Sequence, residues 1–231
     1  MSRSSDHHPE SGRPTLAYWN TRGLAQSIRN LLIYKGVEFH DRRFEFGQPP
    51  DFRNKEWLKE KFTLGLTFPN LPYYIDGNVK LTQSLAILRH LARKYDLDGR
   101  TEEETMELDM CEQQARDLIV GLVMTGYSPN FEDARKKFEE NLINVLELWA
   151  NHLQGRKWTF GDRLTYVDFL LYEALDWNYE LHPDAFEIHP ELLDFLKNFE
   201  ELPNIKEHMT TENYRKWPIT SPMCRWGYRK A

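Results

Sequence analysis

The spacing of apolar residues along the chain changes several times, and each change marks an element. Thr15–Trp19 (TLAYW) is short, aromatic and β-prone, which predicts a strand. From Gly23 to Lys35, Leu24, Ile28, Leu31 and Leu32 fall at helical spacing, and Gly36 ends the run. Val37–Phe46 alternates imperfectly and predicts a second strand, so the chain opens β-α-β with parallel strands and a right-handed crossover. Pro49–Lys61 is a loop or short helix containing Trp57. Leu71–Ile75 is a third strand, Asp76-Gly77 a hairpin turn, and Val79–Thr82 the return strand. Ser84 then suits the N-cap of a helix carrying Leu88, Leu91, Ala92 and Tyr95.

After Tyr95 the pattern is wholly helical. Asp96–Arg100 is a short polar linker, and Thr101-x-x-Glu104 is a capping box opening a long helix. Leu142, Val145, Leu146, Trp149 and Leu153 mark one apolar face, and Leu192, Phe195, Leu196 and Phe199 another. Thr165-x-x-Asp168 is a second capping box, with Leu164 and Phe169 placed as its hydrophobic staple, so Asp168 is read as a cap and not a catalytic acid. The order predicts an α/β thioredoxin-like N-terminal domain over 14–95 and an all-α C-terminal domain over 101–231. Residues 1–13 read as a disordered extension.

Composition narrows the function. The 231 residues are 40% hydrophobic and 29% charged, enough for a real core in one large or two modest domains. A net charge of −6 argues against nucleic acid as the main partner. The charge is uneven: residues 13–95 hold 14 Lys and Arg against 7 Asp and Glu, and residues 96–231 hold 15 against 27. That asymmetry suits an anionic ligand on the first part, contact between unlike units of a dimer, or plain surface composition. The two cysteines, Cys111 and Cys224, are far apart, which argues against a disulfide framework, a zinc site or a dithiol centre. No apolar run approaches the ~20 residues that cross a bilayer. The polar opening MSRSSDHHPESGRP, with its weak His7–His8 pair, lacks the apolar segment of a secretory signal. The expectation is a cytoplasmic protein without metal or cofactor.

Two short stretches carry candidate chemistry. In Phe68-Pro-Asn-Leu-Pro72 the two prolines fix the backbone. A cis bond at Pro72 would leave the Leu71 N–H and C=O outward and unpaired, ready for an extended peptide, where the plainer reading is turn chemistry. The helix mouth at Gln83–Ser84 offers N–H groups and a positive dipole end to a carboxylate. Tyr18 and Trp19 end the first strand, where open α/β sheets bind ligands; they are core residues, or Tyr18 donates to an anion.

Four blocks together resemble the mu-class glutathione transferases: AYWNTRGLA at Ala17–Ala25, EWLKEKF at Glu56–Phe62, FPNLPY at Phe68–Tyr73 and TQSLAILR at Thr82–Arg89. The similarity runs in register from Pro14 to about Asp168. It implies a cytoplasmic homodimer that transfers glutathione to small hydrophobic electrophiles, as in detoxification. Tyr18 would face the glutathione sulfur as the catalytic donor. Trp19, Leu24, Trp57, Lys61 and Asn70 would hold the glycyl end and backbone. Leu71, aided by a cis bond at Pro72, would pair with the cysteinyl backbone. Gln83 and Ser84 would take the γ-glutamyl carboxylate, and Asp117 of the other subunit its amine. Thr21, Arg116, Val120 and Tyr127 would border the electrophile, while Phe68, Arg89 and Asp109 would lie at the dimer interface. Thr21 and Arg116 replace the family's usual apolar residues, and Asn54 replaces a common Arg for which Arg53 or Lys61 would compensate. The last ten residues match poorly. A non-catalytic ligand-binding protein and a glutathione-dependent isomerase are the alternatives; a thiol-disulfide oxidoreductase would want a Cys near Asn20–Gly23, and none is there.

Overall fold

The computed structural model describes residues 12–229. The expected extension, with His7 and His8, lies outside these except for Gly12 and Arg13, and Arg13 pairs with Glu38 at 2.7 Å. The chain opens with β1 (Thr15–Trp19), a 3-10 turn at Gly23–Ala25, α1 (Gln26–Tyr34), β2 (His40–Phe44) and α2 (Lys55–Glu60). It continues through β3 (Tyr73–Asp76), β4 (Val79–Thr82) and α3 (Ser84–Lys94). The sheet order is β2-β1-β3-β4, with β2 parallel to β1 and the other two pairings antiparallel. This is the expected thioredoxin-like unit. The helical part follows: α4 (Glu102–Gly126), α5 (Phe131–Leu153), α6 (Tyr166–Leu181), α7 (Pro190–Glu200) and α8 (Pro203–Met209).

Period-two alternation divides the sheet residues between two cores. Leu16 and Tyr74 join α1, α3 and the C-terminal helices in one large cluster. Ala17 and Tyr73 face the other way, into a smaller cluster with Phe44, Trp57, Leu66 and Leu71. The faces read from α5 and α7 are buried as expected, with Val145 only partly so.

Several boundaries differ from the expectation. Only His40–Phe44 of the Val37–Phe46 run is strand, because the ladder begins where His40 pairs with Thr15; Val37 and Phe39 pack against the main core instead. Leu71 and Pro72 precede β3, and proline has no N–H to add to a ladder. The hairpin turns on Gly77-Asn78 and not Asp76-Gly77: Asp76 pairs with Val79, its carboxylate is taken by Lys94 at 2.7 Å, and Gly77 supplies the left-handed φ of +57°. Ser84 is the first helical residue of α3 and not its cap. Gln83 holds the cap position at φ +72° with no side-chain cap bond. The linker is not simply polar, since Leu97 is buried and its carbonyl accepts the Tyr166 N–H that opens α6.

The two caps read in the helical part are present. Thr101 accepts the Glu104 N–H at 3.2 Å, although the Glu104 carboxylate returns to the Arg100 N–H and not to Thr101. At α6 the box closes both ways: Asp168 accepts from Thr165 N–H at 2.7 Å, and its other oxygen accepts from Thr159 N–H at 2.7 Å. Complete burial pushes the Asp168 carboxyl up to about 6 against these stabilising bonds.

Where the two parts meet, α1 packs on α6 and α8, and charge is enclosed there. Arg22 is 0% exposed; its Nη1 lies 2.6 Å from Asp176 and its Nη2 2.9 Å from Glu173. Glu173 also accepts from Asn30 at 3.1 Å and from the Trp177 indole at 3.0 Å.

Candidate active site

β1 delivers Tyr18 and Trp19 to the carboxyl edge of the sheet, and the following loop doubles back on them. Gly23, at φ +42°, permits that turn; a Cβ there would sit 2.5 Å from the Tyr18 ring and 2.9 Å from its hydroxyl. The Leu24 N–H donates to the Tyr18 hydroxyl. Burial raises the Tyr18 pKa, while that bond and the charge of Arg29 act in the opposite sense. The phenol therefore stays protonated at neutral pH and remains a donor.

The loop's backbone is pinned from both sides. Arg29 Nη1 donates to the Thr21 carbonyl at 2.9 Å. The Arg22 and Gly23 N–H groups donate to the carbonyls of Pro218 and Ile219 at 2.9 and 3.0 Å, tying the C-terminal segment to the residues beside Tyr18.

A cleft of about 460 Å³ opens in front of Tyr18, between this loop and α4. Of the residues expected at the site, Tyr18, Trp19, Thr21, Leu24, Trp57, Val120 and Tyr127 line it. Trp57 is nearly buried, packed against Phe44 and Tyr73, so it serves as a wall. Arg116 and Asp117 are exposed on α4 outside this lining; Lys61, Asn70, Leu71, Pro72, Gln83 and Ser84 also lie outside it, with Leu71 and Pro72 buried. Lys61 instead lies over the Phe62 ring at 5.4 Å.

The last five of these form a polar edge of their own. Tyr73 pairs with Thr82, so Leu71-Pro72 runs beside Gln83-Ser84. The Leu71–Pro72 bond is cis. The Leu71 N–H is not unpaired as expected; the Asn70 side-chain oxygen accepts it at 2.9 Å, because a partly buried donor takes the nearest acceptor. Asn54, the departure from Arg, is also committed: it caps α2 by accepting the Trp57 N–H at 2.7 Å and donates to the Glu45 carbonyl at 2.6 Å.

Among the dimer residues, Phe68 is 71% exposed. Arg89 and Asp109 face each other within one chain at 2.9 Å, and Arg89 also grips the buried Glu112 with two bonds of 2.6 and 2.8 Å.

Sequence reading missed much of the cleft. Phe46 stacks on Trp19 at 4.8 Å, Phe52, Leu58 and Met124 add to the wall beside Arg53, and Ile219–Ser221 and Met223 close one side. The Tyr127 hydroxyl lies 2.5 Å from Ser221 Oγ, and burial raises its pKa. Neither cysteine lines the cleft, and burial pushes the Cys111 thiol up to about 11. The described residues contain no group of three or more His, Cys, Asp or Glu able to hold a metal, and no helix long and apolar enough to cross a membrane.

Comparison with known proteins agrees with this geometry. Residues 14–93 match the family model for the glutathione S-transferase N-terminal domain, and residues 116–212 that for its C-terminal domain. Glutathione S-transferase Mu 1 of Mus musculus is 46% identical over 92% of this chain and 97% of its own length. A glutathione S-transferase of Mesocricetus auratus is 45% identical over 92% and 98%. Among solved structures, the glutathione S-transferase Blo t 8 superposes with a TM-score of 0.85 at 39% identity, covering 93% of this chain and all of that one. The pi-class enzyme of Onchocerca volvulus gives 0.78 at 30% identity, covering 91% and 99%. With similarity running almost end to end through both the sheet that presents Tyr18 and the helices that face it, this chain belongs to the mu-class glutathione S-transferases.

Proposed function

We propose that the protein ionises the thiol of glutathione and joins it to small hydrophobic electrophiles, in a detoxifying role in the cytoplasm. The observation that carries this reading is the Tyr18 phenol, held protonated by burial and oriented by the Leu24 N–H at the wall of a largely apolar cleft.

The energetics are sufficient. A thiol of pKa ~8.5 is only a few per cent ionised at pH 7, and lowering it by about two units takes about 2.7 kcal/mol. One hydrogen bond to a charged group is worth about 1.5–3 kcal/mol, so the Tyr18 O–H donating to the thiolate nearly suffices. The sulfur then attacks an electrophile resting against Val120, Met124 and Tyr127.

Glutathione would lie along the polar edge. Its cysteinyl backbone would pair with Leu71, displacing the Asn70 amide from the Leu71 N–H. Its γ-glutamyl carboxylate would meet the first N–H groups of α3 at Gln83 and Ser84, which carry no side-chain cap. Trp19, Leu24, Trp57, Lys61 and Asn70 would hold the remainder, and Thr21 and Arg116 would make the electrophile side more polar than is usual. The working form is a homodimer: Phe68 is poised to insert into a partner, Arg89 and Asp109 lie near the two-fold axis, and Asp117 completes the partner's site. The unit that binds glutathione spans 14–95 and the helical unit 101–231.

The test is conjugation of glutathione to 1-chloro-2,4-dinitrobenzene by the protein and by Tyr18→Phe. Loss of the bond predicts a thiol pKa higher by about one to two units, from about 6.5, and a rate about 3- to 25-fold lower at pH 7 from the lost thiolate. Unchanged ionisation and turnover in Y18F would remove the basis of the mechanism. A fully active monomer by light scattering would remove the dimer from it.

A further inference from the structure

A second cavity, of about 510 Å³, lies on the α1 side of β2, in the corner closed by α8 and the segment after it. It shares no lining residue with the cleft. Its walls carry Arg13, Arg29, Arg43 and Arg215 against Glu38 and Asp41, an excess of two positive charges with His208 neutral.

The excess is divided between the interior and the exposed Arg215. Arg13 and Glu38 neutralise each other at the exposed rim. Deeper, Arg29 Nε lies 3.0 Å from one oxygen of Asp41 and Arg43 Nη2 2.7 Å from the other, so two guanidinium groups share one carboxylate. Arg29 is 1% exposed, and its Nη2 has no hydrogen-bond partner; neither has Arg43 Nη1. No carboxylate pairs with Arg215 among the described residues. Buried guanidinium donors without acceptors are costly, and oxyanions with several acceptor atoms are what their planar fork matches best. The strain is visible in the charges themselves: burial and then Arg29 lower the Arg43 pKa, with Arg215 adding to them. His208 is lowered by burial and then by Arg43.

We propose that this cavity binds a small organic phosphate or sulfate monoester, its oxyanion between Arg43, Arg215 and His208 and its carbon body against Ile33, Val37 and Phe39. The apolar wall and the volume distinguish an ester from a bare ion, since cavities of roughly 300–1,000 Å³ suit small organic ligands. The unpaired Arg43 donor has the same explanation.

Calorimetric titration of the full chain at constant ionic strength tests this, with phenyl phosphate and inorganic phosphate as probes, each with and without S-hexylglutathione. Phenyl phosphate is expected to saturate at one per chain, unaffected by S-hexylglutathione, and to bind more tightly than inorganic phosphate. Arg215 is exposed, so Arg215→Gln leaves the fold intact and should weaken binding about tenfold or more, the loss of one charge-assisted bond. Arg215→Lys should weaken it less. Unsaturable binding, equal affinity in R215Q, or competition with S-hexylglutathione would overturn the site. Equal affinity for the two probes would overturn the ester and leave only a site for the free ion.

Discussion

Replacing Arg22 by Met removes the one cation enclosed between Glu173 and Asp176, at 2.9 and 2.6 Å, while its backbone N–H keeps its bond to Pro218. Breaking a buried ion pair from one side costs about 3–5 kcal/mol, because the surviving charge has neither water nor partner. Here two carboxylates survive. Glu173 retains neutral donors from Asn30 and Trp177, and Lys216 remains 4.0 Å from Asp176, so the loss should lie near the lower end, about 3 kcal/mol at pH 7. Burial already raises the Glu173 pKa, and Arg22 is the main influence holding it down. Without Arg22 it rises further above its unfolded value. An acid raised in the folded state carries no penalty below its unfolded pKa, about 4.3 for Glu, and the full penalty above its folded one. The deficit of R22M should therefore shrink as pH falls toward 4.3. Urea unfolding at fixed protein concentration, from pH 4.5 to 8, measures it. Adding Glu173→Gln and Asp176→Asn removes the stranded charge, keeps an acceptor for Trp177, and should restore at least half of the loss. A deficit under about 1 kcal/mol, or one that the triple variant does not relieve, would mean that the cluster is not a dominant electrostatic contact.

Gly23→Ala drives a methyl into Tyr18 at 2.5 Å and demands a left-handed φ from alanine; it should lower conjugation about as much as Y18F, with a stability cost of about 1–2 kcal/mol, read from kcat/KM and Tm together. Asp168→Ala strands the Thr159 and Thr165 N–H groups and should cost about 2–4 kcal/mol in chemical unfolding. Asp168→Asn removes a carboxyl raised from 3.8 to about 6, a group whose penalty grows as pH rises through that window; the variant's stability should decline less between pH 4 and 6 than the parent's. Asn54→Ala removes the α2 cap and the Glu45 bond, with an expected loss of about 0.5–2 kcal/mol and a raised KM for glutathione, because Trp57 rides on that helix.

Signals confined to a few consecutive residues were legible. The Thr165–Asp168 box spans a single helical turn, and β1 could be placed from five residues; both lie where the sequence puts them. Tyr18 followed at the end of that strand. The misreadings concern partners brought from afar or backbone torsions that composition does not encode. Ser84 looks like a cap, but Gln83 takes a left-handed φ to leave β4, which moves the helix start by one residue. Leu97 sits in a polar stretch, yet α6 arrives some seventy residues later to bury it. Arg89 and Asp109, expected at a dimer interface, pair within the chain, and the two shortest bonds of Arg89 go to Glu112, a residue that nothing in the local pattern marks as buried. The side of the cleft formed by Ile219–Met223 comes from about two hundred residues after Tyr18, and no local pattern ties it to the site.

That segment is anchored to the catalytic loop by the carbonyls of Pro218 and Ile219, and to its own end by the Ile219 N–H, which donates to the Gly227 carbonyl at 2.7 Å. These attachments are made by backbone atoms, but Ile219 is buried in the main core and Thr220 and Ser221 hydrogen-bond through their side chains to the Trp226 carbonyl and to Tyr127, which leaves the exposed Met223 the least constrained. Under the proposed function, substitution of Met223 can redraw the shape and polarity offered to an electrophile while the donor at Tyr18 stays where it is. On the proposed reading, selectivity and thiol activation are carried by separable sets of atoms, and a lineage meeting new electrophiles can alter the first without relearning the second.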